Sequence, residues 1–188
     1  TIRSGFNSIE DFETSFPNLC FSLATGVGKT RLMGAFITYL FVAHGIRHFF
    51  VLAPNLTIYK KLITDFTPNT PKYVFQGVSE FAVKSPTLVT GENFEQRPQA
   101  LDLFERDDVV VNIFNIAKFN TTSQGTLRAW RLSEYLGQAY FEYLADLEDL
   151  VLIMDEAHRY RASTSMQSIQ RLKPVLGLEL TATPQIER

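Results

Sequence analysis

Three strand-length runs in this chain are apolar at almost every position: HFFVLA at His48–Ala53, DVVVNI at Asp108–Ile113 and DLVLIMD at Asp149–Asp155. A sheet wetted on one face alternates apolar and polar residues, so runs of this kind need cover on both faces, as in a parallel sheet flanked by helices. Shorter apolar runs predict further strands at Leu19–Ala24, Lys72–Phe75 and Gly177–Leu180. Between them, Lys29–Ala43 and Leu56–Phe66 carry apolar residues at helical spacing, with Gly45 as a stop signal after the first. The alternation predicts an α/β chain with three α/β/α layers and a mostly parallel sheet. Ser85–Asp107, rich in Pro, Gly, Glu and Gln, reads as a surface excursion with a short helix at Gln99–Arg106. Leu127–Leu147 reads as a helical, aromatic-rich insert that supplies local core.

The chain has 188 residues, 45% of them hydrophobic and 20% charged. That composition suits one folded core and excludes a disordered chain. Lys+Arg 18 against Asp+Glu 20 leaves a net charge of −2, so any contact with nucleic acid is local rather than a global basic field. The lone Cys20 excludes a disulfide scaffold within the chain, and its apolar setting predicts a buried thiol in a reduced, cytoplasmic location. The richest apolar stretch, Met33–Val42, is interrupted by Gly34, Thr38 and Tyr39. It falls short of the roughly 20 apolar residues a spanning helix needs. A buried helix is expected there, and no membrane partner. The chain opens on Thr1 without a signal-peptide pattern, and is expected to be a piece of a longer protein.

Three segments carry chemistry. In FSLATGVGKTR, Phe21–Arg31, a strand runs into glycines and then into a helix. Glycines let successive N–H groups point into one concavity, and the helix N-terminus adds partial positive charge, so the order suits phosphate. Lys29 would reach the β- and γ-phosphates and the Thr30 hydroxyl would hold Mg²⁺. In LVLIMDEAH, Leu150–His158, an apolar strand ends in two carboxylates. Asp155 falls at the strand's carboxyl end, where ligands sit in open α/β sheets, and suits the metal. Glu156 suits the attacking water. LELTATP, Leu178–Pro184, is a short strand breaking into Thr181 and Thr183, hydroxyls able to hydrogen-bond to the acidic pair; taken alone, the segment reads as an ordinary strand end closed by Pro184.

ATGVGKT, DEAH and TATP, in that order, resemble motifs I, II and III of the superfamily 2 helicases and translocases. FFVLAPNLTIYKK at Phe49–Lys61 resembles motif Ia, and VVVNIFNIAKFN at Val109–Asn120 the strand that follows. Within that superfamily the chain looks most like the ATPase (Res) subunit of type III restriction enzymes. The resemblance implies a RecA-like P-loop ATPase domain that uses ATP and Mg²⁺, acts on nucleic acid, most naturally DNA, and belongs to a restriction-type enzyme. It gives phosphate and nucleotide contacts to Thr25, Gly26, Val27, Gly28, Lys29, Thr30 and Arg31, and the metal to Thr30 and Asp155. Catalysis falls to Lys29 and Glu156, coupling to His158, Thr181 and Thr183, and the nucleic-acid track to Pro54, Asn55 and Lys60. Implied partners are a second RecA-like domain of the same parent chain and a methyltransferase or specificity subunit.

The chain departs from the pattern in two ways. The general P-loop carries a further glycine where Leu23 stands, and no glutamine precedes Gln76 to read the adenine. The competing reading is a nucleotide-gated interaction switch without translocation. Retention of Glu156 speaks against it, since a pure binder has no use for a water-activating carboxylate.

Overall fold

Side chains alternate across a strand, so a run that is apolar throughout feeds two cores at once. The computed structural model describes residues 14–24, 26–96, 108–116, 136–156 and 169–182, and strand β2 (His48–Ala53) behaves in this way. Phe49, Val51 and Ala53 join one apolar cluster; Phe50 and Leu52 join another. The first cluster is closed by helix α1 (Lys29–His44) through Met33 and Ile37, and by α2 (Leu56–Phe66) through Tyr59, Leu62 and Phe66. The second is closed by α3 (Gln138–Ala145) through Tyr140, Phe141 and Leu144. The sheet therefore lies between two helical layers, as the apolar runs predict.

The remaining strands are β1 (Asn18–Ser22), β3 (Thr87–Thr90), β4 (Val110–Asn115), β5 (Leu150–Asp155) and β6 (Leu176–Thr181). They form one sheet in the order β1-β6-β5-β2-β4-β3, and every adjacent pair is parallel. A parallel sheet brings all carboxyl ends to one edge. β6 separates β1 from β5, with Ser22 level with Thr181 and Asp155 level with Leu180.

Helix α1 needs a glycine in its middle. A Cβ on Gly34 would stand 2.9 Å from the Cβ of Val74 and 3.1 Å from its carbonyl oxygen. Val74 is itself held by its N–H on the Asp65 carbonyl, at 2.8 Å. Asn112, a buried polar side chain of β4, is satisfied on both sides: its Nδ2 donates to the Phe49 carbonyl at 3.1 Å, and its Oδ1 accepts from the Tyr140 hydroxyl at 2.5 Å.

Several expectations are corrected. Lys72–Phe75 is not a strand but a run of turns. Pro68 and Pro71 precede it, Asn69 takes a left-handed φ of 64°, and Phe75 is buried by edge-on contact with the Phe66 and Phe81 rings rather than by a sheet. The strand expected there is β3, inside the stretch read as a surface excursion. Four residues between Pro86 and Gly91 on a sheet edge leave little period to read. Cys20 is exposed, not buried, because β1 is an edge strand whose Leu19 and Phe21 face the helices and whose Cys20 and Ser22 face outward. The Gln99–Arg106 helix and the first part of the Leu127–Leu147 insert lie outside the described residues. Among the described residues no helix is long and apolar enough to cross a membrane.

Candidate functional site

Three segments converge at the carboxyl edge because β1, β6 and β5 are neighbours and parallel. The loop after β1 leads into α1 through Gly26 and Gly28, at φ 84° and 96°. These left-handed values suit glycine and turn the backbone toward a helix N-terminus. Gly28 is the N-cap of α1. Among the described residues no side chain caps that end and no acidic residue occupies its first turn, so its leading N–H groups are suited to an anion.

Neighbouring strands lie about 4.8 Å apart, so the ends of β1 and β5 are separated by about 10 Å with β6 between them. The Lys29 side chain spans that gap and pairs with the Glu156 carboxylate through Oε1. Both side chains are nearly enclosed, at 14% and 15% exposed. Oε2 of Glu156 accepts from the Thr181 hydroxyl at 3.4 Å and from the Ala182 N–H at 3.3 Å, both at the end of β6. Glu156 adopts a left-handed φ of 52°, and its own N–H donates to the Leu180 carbonyl at 2.7 Å. A non-glycine residue in that region is strained, and strain of this kind gathers at functional sites.

Asp155 is buried at the end of β5. Burial raises its carboxyl above the ordinary aspartate value, the charge of Glu156 adds to the rise, and Lys29 and Lys61 oppose it. The Thr30 hydroxyl accepts from Lys61 Nζ at 2.9 Å, and the same ammonium pairs with Asp65 Oδ2 at 2.5 Å. Gly26, Gly28, Lys29, Thr30, Lys61, Asp155 and Glu156 all line one cleft of about 630 Å³.

The donor set fits Mg²⁺. Thr30 and Asp155 offer one hydroxyl and one carboxylate, both hard oxygens, and both line the cleft. Mg²⁺ is usually held by one or two carboxylates with water and substrate phosphates rather than by an all-protein cage. Among the described residues there is no group of three or more His, Cys, Asp or Glu able to hold a metal. A buried carboxyl pushed toward its neutral form is also one that a cation would return to the charged form.

Lys29, Thr30, Asp155, Glu156 and Thr181 are thus brought together. Val27 and Arg31 are exposed, and Arg31 lines the same cleft. Thr25, His158 and Thr183 lie outside the described residues. Pro54 is buried, and Asn55 caps α2 by accepting from the Ile58 N–H at 2.9 Å. Lys60 is exposed on α2. Sequence reasoning missed Lys61 and Asp65 as residues of the cleft. Their spacing of four marks them as neighbours on one helix face, but nothing in it points that face at Thr30.

The parallel sheet, the loop after β1 and the carboxylates after β5 define a RecA-like, helicase-type nucleotide-binding domain. The family model described as "Type III restriction enzyme, res subunit" matches residues 4–186, and the chain belongs to that family. It is similar to the "Probable type III restriction-modification enzyme HindVIP Res subunit" of Haemophilus influenzae, with 28% identity over 167 residues, covering 86% of this chain and 28% of that protein. Its fold is similar to that of a nuclease-deletion mutant of the type ISP restriction-modification enzyme LlaGI, solved in complex with a DNA substrate mimic. The TM-score is 0.54 and the identity 15%, covering 99% of this chain and 17% of that one. The chain spans less than a third of the length of either relative.

Proposed function

We propose that the chain is the first of two RecA-like domains of an ATP-dependent DNA translocase in a restriction-type enzyme, and that it binds and hydrolyses ATP at the cleft between Gly28 and Glu156. The observation that carries this reading is the pairing of Lys29 with a Glu156 whose second oxygen is held by Thr181 and Ala182. It joins a phosphate lysine, a water-activating carboxylate and the end of β6 in one contact.

In the proposed cycle the amides of Gly28 and Lys29 receive phosphate oxygens, and the Lys29 ammonium leaves Glu156 for them. Thr30 and Asp155 would hold Mg²⁺, which supplies positive charge to the phosphate oxygens when bound. Glu156, released from Lys29, orients a water and accepts its proton as the water oxygen bonds to the γ-phosphorus. The bond to the β–γ bridging oxygen breaks and ADP leaves. Thr181 and the Ala182 amide keep the Glu156 carboxylate aimed, and with His158 and Thr183 they relay its state to the partner domain.

The DNA assignment draws on the restriction relatives and on the DNA mimic held by the structural neighbour. With a net charge of −2, contact is local, along Pro54, Asn55 and Lys60, and directed at the sugar–phosphate backbone. The reading places the protein in the cytoplasm with a methyltransferase or specificity subunit. Arginines from a second RecA-like domain are worth about three to five orders of magnitude in comparable enzymes, so residues 1–188 alone should hydrolyse ATP very slowly.

The test is the ATPase rate of the full-length protein with and without double-stranded DNA, beside Glu156→Gln. DNA should stimulate the rate, and the variant should lose turnover while still binding nucleotide. A rate that ignores every nucleic acid while nucleotide still binds would replace the motor with a switch.

A further inference from the structure

Lys61 is one of the cations lining the cleft, with Arg31 and Lys72, that the proposed cycle leaves unused. Its ammonium sits on the Thr30 hydroxyl at 2.9 Å, the oxygen assigned above to the metal. It is held there by Asp65, one turn further along α2, at 2.5 Å. Asp65 is buried, its side chain 7% exposed, while that of Lys61 is 52% exposed. The carboxylate is therefore the fixed partner, and the lysine stem has solvent to swing into. Lys61 also lies near enough to Asp155 for its charge to oppose the rise in that carboxyl. One mobile cation thus borders both oxygens that suit Mg²⁺.

The chemistry makes the two cations competitors. Mg²⁺ bonds oxygen at about 2.0–2.1 Å and demands near-octahedral geometry. An ammonium hydrogen-bonded to the same hydroxyl would sit within a few ångströms of it, where like charges repel strongly even near a protein surface. Occupancy of Thr30 by the metal therefore requires Lys61 to move off.

We propose that Lys61, aimed by Asp65, is a tethered cation that occupies the metal's side of Thr30 in the ligand-free cleft, and so sets the Mg²⁺ concentration at which nucleotide binds. It is a positioning residue that acts through Thr30. The inference rests on the ATP-site reading above and adds to it a residue that opposes loading.

The experiment is equilibrium binding of a fluorescent ATP analogue to the full-length protein across a titration of free Mg²⁺, with no turnover required. Removing the competitor in Lys61→Met should lower the Mg²⁺ midpoint by about fivefold, the scale of one exposed ion pair. Lys61→Arg, which keeps the charge, should return the midpoint toward that of the unmodified protein. Asp65→Asn, which loosens the tether, should shift it in the same direction as Lys61→Met but by less. A merely structural lysine would change the melting temperature and leave the midpoint in place. An unchanged or raised midpoint in Lys61→Met, with nucleotide binding intact, overturns this inference alone. Failure of the unmodified protein to bind the analogue at any Mg²⁺ concentration overturns the ATP-site reading with it.

Discussion

Replacing Gly34 by alanine sets two effects of opposite sign against each other within one helix. Alanine is favoured over glycine inside a helix by about 1 kcal/mol, so propensity alone predicts a more stable protein. The new methyl, however, would meet the Val74 Cβ at 2.9 Å and the Val74 carbonyl oxygen at 3.1 Å. Neither atom is the end of a flexible side chain, and Val74 is anchored to α2 through the Asp65 carbonyl. Relief requires backbone to move, which places the cost near the upper end of overpacking, about 3 kcal/mol. The difference, about 3 minus about 1, is a loss of about 2 kcal/mol. Urea unfolding of Gly34→Ala measures it, and Ala35→Gly, one residue on and exposed, measures the propensity contribution of the same helix separately. Ala35→Gly should cost about 1 kcal/mol. A Gly34→Ala variant as stable as the parent, or more so, would refute the close approach of α1 to Val74.

Two further outcomes follow from polar contacts. Tyr140→Phe removes the donor to Asn112 Oδ1 inside the sheet, leaving a buried acceptor without its hydroxyl; chemical denaturation should show a loss of about 1–3 kcal/mol, and a neutral result would mean that the hydrogen bond does not form. Asp149 is partly buried, which opposes its charge, but the His48 ring and the N–H groups of Arg47 and His48 outweigh burial and hold its carboxyl below the ordinary value of 3.8. The unfolded chain then binds the proton more tightly, so this group's contribution to stability is present above pH 3.8 and is lost as pH falls below it. Acid titration followed by circular dichroism should show a shallower loss in Asp149→Asn, and identical acid profiles would refute the assignment.

The parts of this molecule that were legible in sequence are those whose pattern is local. The bounds of β2 and α2 follow from unbroken runs and helical spacing, and the phosphate loop and acidic pair are each contiguous. What escaped depends on contacts between distant segments. Tyr73, Val74 and Phe75 look like a short strand because they are apolar and adjacent, yet they lie in turns, where packing on Phe66 and Phe81 buries Phe75. β3 is only four residues, between Pro86 and Gly91, and its pairing with β4 cannot be inferred from so short a period. Cys20 belongs to an apolar run but sits on an edge strand, and strand order is a property of the whole sheet. Lys61 reads as a solvated lysine until α1 and α2 are placed side by side.

If the cleft is the ATP site proposed above, its ion pairs would also keep it idle when empty. Lys29 neutralises Glu156 and Lys61 neutralises Asp65, so two cations of the cleft are already paired with carboxylates. A Glu156 oxygen engaged by an ammonium is a poor base, because the ammonium occupies the lone pairs that a water proton needs. The contact that keeps Lys29 ready for phosphate is therefore the same contact that keeps Glu156 from activating water. In the proposed cycle phosphate would break it, by offering Lys29 a competing set of anionic oxygens at the loop. Activation of the base would in this way be conditional on occupancy, and the hold of Thr181 and Ala182 on the other Glu156 oxygen would let the carboxylate change partners without losing its place at the end of β6.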